Sequence, residues 1–154
     1  FGLMPTSLRP GTTLTGVEFE PFTSKIAAHL YPKAEIHGAK GFQDVYIAPE
    51  SIDLAVGNPP FGDETLFDKS SKELSKLKIH AYFFAKSIES LRPGGVLAMV
   101  VSKGFMDARD AKAVAARKFV GDRAELVGAI RLPNNAFGAN ANTEVTTDII
   151  FLQK

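Results

Sequence analysis

The sequence contains no cysteine. That excludes a disulfide scaffold, a thiolate zinc site and a cysteine nucleophile, and it fits a reducing compartment. Net charge is nearly absent as well: 18 Lys and Arg stand against 17 Asp and Glu, a formal balance of +1. No global field therefore marks a free-standing nucleic-acid binder, although a catalytic domain whose neighbour holds the nucleic acid is compatible with that balance. No apolar run approaches the roughly 18 residues of a membrane span, and no secretory leader is visible. A cytoplasmic chain without a membrane partner is expected. The three histidines, His29, His37 and His80, lie far apart and lack metal-ligand spacing, so no metal is expected. No internal repeat and no low-complexity stretch occurs.

What is present is ordinary globular material, with 45% hydrophobic residues in 154, enough for one core. The chain starts at Phe1 and closes in a strand-like run. It reads as a piece of a longer protein, a single partial domain over residues 1–154.

Hydrophobic periodicity alternates between strand and helix. Residues 13–18 are β-rich. Residues 22–31 read as a helix, with Phe22, Ile26 and Leu30 on one face and Pro32 as its stop. Residues 35–40 form a short strand, and 53–57 (DLAVG) have the near-continuous apolar character of a buried parallel strand. Residues 61–78 are polar and read as a loop, a mobile flap whose Lys69, Lys72, Lys76 and Lys78 could meet a nucleic-acid backbone. A solvated loop explains them equally well. A helix over 81–91 ends at Pro93-Gly94-Gly95 and is followed by a strand at 96–101. Then come a helix at 108–119 and strands at 126–131 and 144–152. Asp107, Asp110 and Lys112 read as cap and dipole partners. The order predicts an α/β fold with a mostly parallel sheet. The last two strands, with no helix between them, should pair antiparallel.

The segment richest in chemistry is 53–62, DLAVGNPPFG. In open α/β sheets, ligands sit beyond the carboxyl ends of the strands, which is where Asn58 falls. Pro59 and Pro60 fix their own φ, and each pushes the residue before it toward extended geometry. Asn58-Pro59-Pro60 is thus a stiff hook that lacks two N–H donors and keeps its carbonyls. The Asn58 side-chain oxygen and the Pro59 carbonyl could take both hydrogens of an exocyclic amine, and Phe61 offers a flat face to the ring bearing it. A plain turn after a buried strand is the alternative.

With the strand before it, NPPF resembles the [D/N/S]-P-P-[Y/F/W] signature of class I, Rossmann-like DNA amino-methyltransferases, and the resemblance extends over almost the whole chain. It implies a three-layer Rossmann-like fold, an antiparallel terminal hairpin, S-adenosylmethionine as cofactor, and transfer to the N6 amine of a flipped-out adenine. Residues 16–21 (GVEFEP) resemble the family's second strand, which gives Glu18 the ribose hydroxyls and Phe19 the cofactor adenine. At the third strand end, Phe42 becomes the second face of that adenine. Gly41 stands where the family has an acidic residue, with Gln43 or Asp44 as the substitute. Phe137, in the loop of the terminal hairpin, becomes the second aromatic around the base. Lys103 could touch a phosphate.

The phrases GAIRLPNNAF at 128–137 and TEVTTDIIFLQK at 143–154 resemble the methylase module of large phage and mobile-element methylase–helicase proteins. This implies DNA, and a fused helicase or target-recognition domain, as partners. The family's Gly-rich loop and first strand are not found in the sequence, which implies an isolated piece that is inactive and binds the cofactor poorly. Two further readings share the hook: methylation of an RNA base or a protein glutamine amide, and a degenerate methyltransferase fold serving as a scaffold.

Overall fold

The computed structural model describes residues 11–134, 136 and 146–154. They fall into two compact units, one within Phe1–Tyr46 and one within Ile47–Lys154.

In the first unit, β1 (Thr15–Glu18) and β2 (Glu35–Gly38) pair in parallel through α1 (Pro21–Leu30). Glu20 starts the helix: its carboxylate accepts from the Thr23 N–H at 2.6 Å, and Pro21 occupies the first turn, where its missing donor costs nothing. The apolar stripe Phe22–Ile26–Leu30 remains exposed. The helix instead packs through Ser24, its one buried residue. A Cβ on Gly38 would come within 2.7 Å of the Ser24 hydroxyl, so glycine there permits the close approach.

The second unit is a four-stranded sheet in the order β3-β4-β6-β5, formed by β3 (Ile52–Gly57), β4 (Leu91–Ser102), β5 (Glu125–Arg131) and β6 (Thr147–Gln153). β3 and β4 are parallel, and β6 runs antiparallel to both its neighbours, giving the expected hairpin. α2 (Ile79–Ser90) and α4 (Ala111–Gly121) supply Phe84, Ile88 and Val120 to a core with Leu97, Met99, Val101, Ile150 and Leu152. The alternation along β4 sends Leu97, Met99 and Val101 to one face. Phe105, on the short helix α3 (Gly104–Asp107), stacks on Phe84 with centroids 4.6 Å apart. Asp110 then caps α4 by accepting from the N–H groups of Lys112 and Ala113, so the helix expected at 108–119 starts three residues later, at Ala111, with the short α3 before it. Among the described residues β1 pairs only with β2 and β3 only with β4, leaving each with one edge free of a strand partner.

The start of β4 differs from expectation. Leu91 already pairs with Ile52; residues 92–95 then bulge out, and pairing resumes at Leu54 and Val96. Gly94 takes φ +79°, and its N–H donates to the Lys154 carbonyl at 2.6 Å. A Cβ on Gly95 would lie 2.8 Å from the Arg92 carbonyl and 3.2 Å from that of Ile52. Pro-Gly-Gly therefore shapes a bulge inside a strand rather than separating helix from strand.

Candidate active site

β3 delivers Asn58 at its carboxyl end, beside the end of the parallel strand β4 and the beginning of β6. Pro59 is buried and anchors the hook, while Asn58 and Pro60 are exposed. Neither the Asn58 side chain nor the Pro59 carbonyl has a hydrogen-bond partner among the described residues. Phe61 is 44% exposed. The hook thus combines unengaged acceptors with an open aromatic face. β5 ends at the same edge in Arg131, whose guanidinium grips Asp148 with two bonds of 2.8 and 3.0 Å and reaches Asp107 at 2.9 Å. These bonds close the base of the hairpin loop. Phe137 lies outside the described residues. Lys103 is exposed at the end of β4.

The stretch after the hook is tied down, not a free flap. The Thr65–Lys78 bridge and the bond from the Ile79 N–H to the Glu64 carbonyl, 2.8 Å, fasten it to the start of α2. Further along, Asp68 is only 2% exposed. Its carboxylate accepts from the Ser70 N–H and hydroxyl, the Tyr82 hydroxyl at 2.5 Å and the Lys86 ammonium at 3.1 Å. Burial alone would raise its pKa, but these donors outweigh it and hold the carboxyl far below its usual range. Of the four lysines, Lys78 is paired with Asp63, while Lys69, Lys72 and Lys76 are exposed. Sequence reading passes over His80, whose ring lies 5.6 Å from that of Phe61.

In the first unit, the carboxyl ends of β1 and β2 are joined by a bond from the Lys40 N–H to the Glu18 carbonyl, 3.4 Å. One Glu18 carboxylate oxygen accepts from the Glu20 N–H at 2.9 Å; the other is unengaged among the described residues. Phe19 is 74% exposed, and Phe42 and Gln43 are half-buried. The Gln43 amide donates to Asp44 at 3.2 Å. A carboxylate with a spare oxygen next to an exposed aromatic fits a cis-diol joined to a flat ring, so this donor set suits a nucleoside. Glu18, Phe19, Phe42 and Gln43 belong to one unit, and Asn58, Pro59, Pro60 and Phe61 to the other. Among the described residues no cluster of His, Cys, Asp and Glu is suited to a metal.

The chain is 29% identical over 148 residues to the "Defense against restriction protein B" of Escherichia phage P1, covering 94% of this chain and 6% of that protein. Among solved structures it resembles the M protein of the type I restriction enzyme EcoKI (TM-score 0.66, 22% identity, 92% of this chain and 31% of that one). It also resembles a modification subunit of a type I restriction enzyme from Vibrio vulnificus (0.69, 17%, 90% and 32%). A class I S-adenosylmethionine-dependent methyltransferase from Listeria monocytogenes aligns at 0.60 with 16% identity, over 96% of this chain and 55% of that one. The chain thus spans a small fraction of the phage protein and about a third of the modification subunits. Its fold is the Rossmann-like methyltransferase fold of these neighbours. A family profile matches residues 15–136, and the chain belongs to the Eco57I restriction-modification methylase family.

Proposed function

We propose that this chain transfers the methyl group of S-adenosylmethionine to the N6 amine of an adenine flipped out of DNA. One observation carries the reading: the stiff Asn58-Pro59-Pro60 hook ends a parallel strand with its acceptors unengaged and Phe61 open beside them. The Asn58 oxygen and the Pro59 carbonyl accept the two N–H bonds of the amine. Holding those hydrogens in the acceptors' plane turns the nitrogen lone pair out of conjugation with the ring and toward the methyl donor. Phe61 and Phe137 stack on the two faces of the base, which has to leave the helix for its amine to be reached. Glu18 accepts from the ribose hydroxyls of the cofactor, and Phe19 and Phe42 cover its adenine, with Gln43 beside them. When bound, the cofactor supplies a methyl group on a positively charged sulfur. With the cofactor held by Glu18, Phe19 and Phe42, the hook would aim the amine lone pair at that methyl, and water would take the proton the amine gives up. No covalent bond to the protein forms.

Both units serve this one reaction as parts of one catalytic domain. The small share of the phage protein that the chain spans supports work beside other domains, among them a helicase or a target-recognition domain. No described helix is long and apolar enough to cross a membrane, and the reaction is read as cytoplasmic. The test is to incubate the protein carrying this chain with methyl-labelled S-adenosylmethionine and, separately, with DNA, ribosomal RNA and glutamine-containing protein acceptors. Label recovered as N6-methyladenine from DNA is the expected result. Label in RNA or a protein amide would keep the hook and change the substrate; label in none would leave a scaffold.

A further inference from the structure

His80 has no part in the roles above. It is the second residue of α2, and its ring packs on Phe61 with centroids 5.6 Å apart and planes tilted by 46°. Its Nε2 is buried and has no hydrogen-bond partner among the described residues, a condition that costs free energy and is uncommon in folded proteins. The backbone on both sides of this contact is fixed. Pro59 and Pro60 stiffen one side, and the Thr65–Lys78 bridge with the Ile79–Glu64 bond ties the other to the helix that carries His80. What remains adjustable is the tilt of the Phe61 ring, and the imidazole packs against it.

We propose that His80 is a positioning residue for the acceptor hook: its neutral, buried imidazole sets the tilt of Phe61, and protonation of His80 releases that ring. The inference rests on the reading of Phe61 as a stacking face for the base. The charged groups around His80 are Asp63 and Glu64 on the loop and Lys78 at the helix start. Asp63 is engaged by Lys78, and from the α4 start Lys112 acts on Asp63 and Asp110 on Lys78. Burial lowers the pKa of His80 below its ordinary 6.5. Lys78 acts in the same direction, and the two carboxylates oppose without prevailing. The imidazole is therefore neutral at pH 7. As pH falls below 6.5, a displaced, solvated ring binds its proton before the buried one, so acid draws His80 away from Phe61.

Two measurements test this. The first is an NMR titration of the chain, following the ring protons of His80 and Phe61. The Phe61 resonances should move with the His80 midpoint, below 6.5, and that movement should vanish in His80→Phe. Phe61 resonances indifferent to the His80 titration would overturn the proposal. The second uses turnover by the protein carrying the chain. His80→Ala should lower kcat on the order of tenfold, as a misplaced binding surface does, and leave KM for S-adenosylmethionine unchanged. His80→Phe should restore kcat and flatten the acid limb of its pH profile. If His80→Ala fails to fold, the pH profile of His80→Phe decides alone, and an unchanged acid limb overturns the inference. Phe61→Ala separates the two readings. If it slows turnover while His80→Ala does not, the positioning role fails by itself; if it leaves turnover intact, the stacking role of Phe61 fails, and the NMR coupling still decides whether His80 sets that ring.

Discussion

Replacing Asp68 by alanine should weaken the entire second unit, although residue 68 sits in a stretch that reads as a polar loop. The carboxylate is almost fully buried and gathers bonds from Ser70, Tyr82 and Lys86. Truncation deprives the Lys86 ammonium, whose side chain is 9% exposed, of its carboxylate. Breaking a buried pair by removing one partner costs about 3–5 kcal/mol, out of the ~5–15 kcal/mol that holds a domain folded. A fall in Tm of roughly 10–20 °C follows, read by circular dichroism. Replacing both partners, Asp68→Ala with Lys86→Met, should recover most of the loss, because no charge is then left buried. The acid dependence has a definite sign. The folded-state pKa of Asp68 lies far below the ordinary 3.8, so its contribution is present above that value and is lost as pH falls beneath it. The wild type should therefore lose stability below about pH 4 more steeply than Asp68→Ala does. A single variant costing under about 1 kcal/mol, as an exposed pair would, or a double variant no better than the single, would refute this account.

Other substitutions probe other parts of the fold. Phe84→Ala removes a fully buried ring stacked on Phe105 and should cost about 3–5 kcal/mol in denaturant unfolding. Gly95→Ala drives a methyl group into two backbone carbonyls and should cost about 1–3 kcal/mol. Gly121→Ala, at the end of α4 with nothing within 4 Å, should be neutral or stabilise by up to ~1 kcal/mol in the same assay.

Much of this architecture is legible in the sequence because apolar periodicity separates helix from strand. The runs at 53–57 and 96–101 appear as parallel strands, although the first is not the buried strand its apolar run suggests, since Leu54 and Val56 stay exposed; the missing helix between the last two strands foretells their antiparallel pairing. The Asn-Pro-Pro hook is legible for a different reason: proline fixes geometry locally, whatever surrounds it. Features that depend on distant partners are not legible. Asp68 and Ser70 read as part of a solvated loop, since a buried polar network leaves no periodic trace. Pro93-Gly94-Gly95 signals a break, but its bulge forms only because Ile52 and Lys154 supply partners. The stripe of α1 carries a helical period yet stays exposed, and Ser24, apolar by neither composition nor pattern, makes the packing. His80 resembles a residue opening a helix until the fold brings Phe61 to its ring.

The central claim is that Asn58 grips the acceptor amine, and single-turnover methylation of DNA by the protein carrying this chain tests it most directly. Asn58→Ala removes the side-chain acceptor and leaves both prolines in place. Asn58→Asp keeps an acceptor oxygen at the same position. Loss of a preorganised polar group at a reacting centre lowers rates on the order of 10²–10³-fold. The account predicts that loss for Asn58→Ala, with cofactor binding intact and measurable N6-methyladenine retained in Asn58→Asp. An Asn58→Ala protein that methylates adenine at the wild-type rate would contradict it.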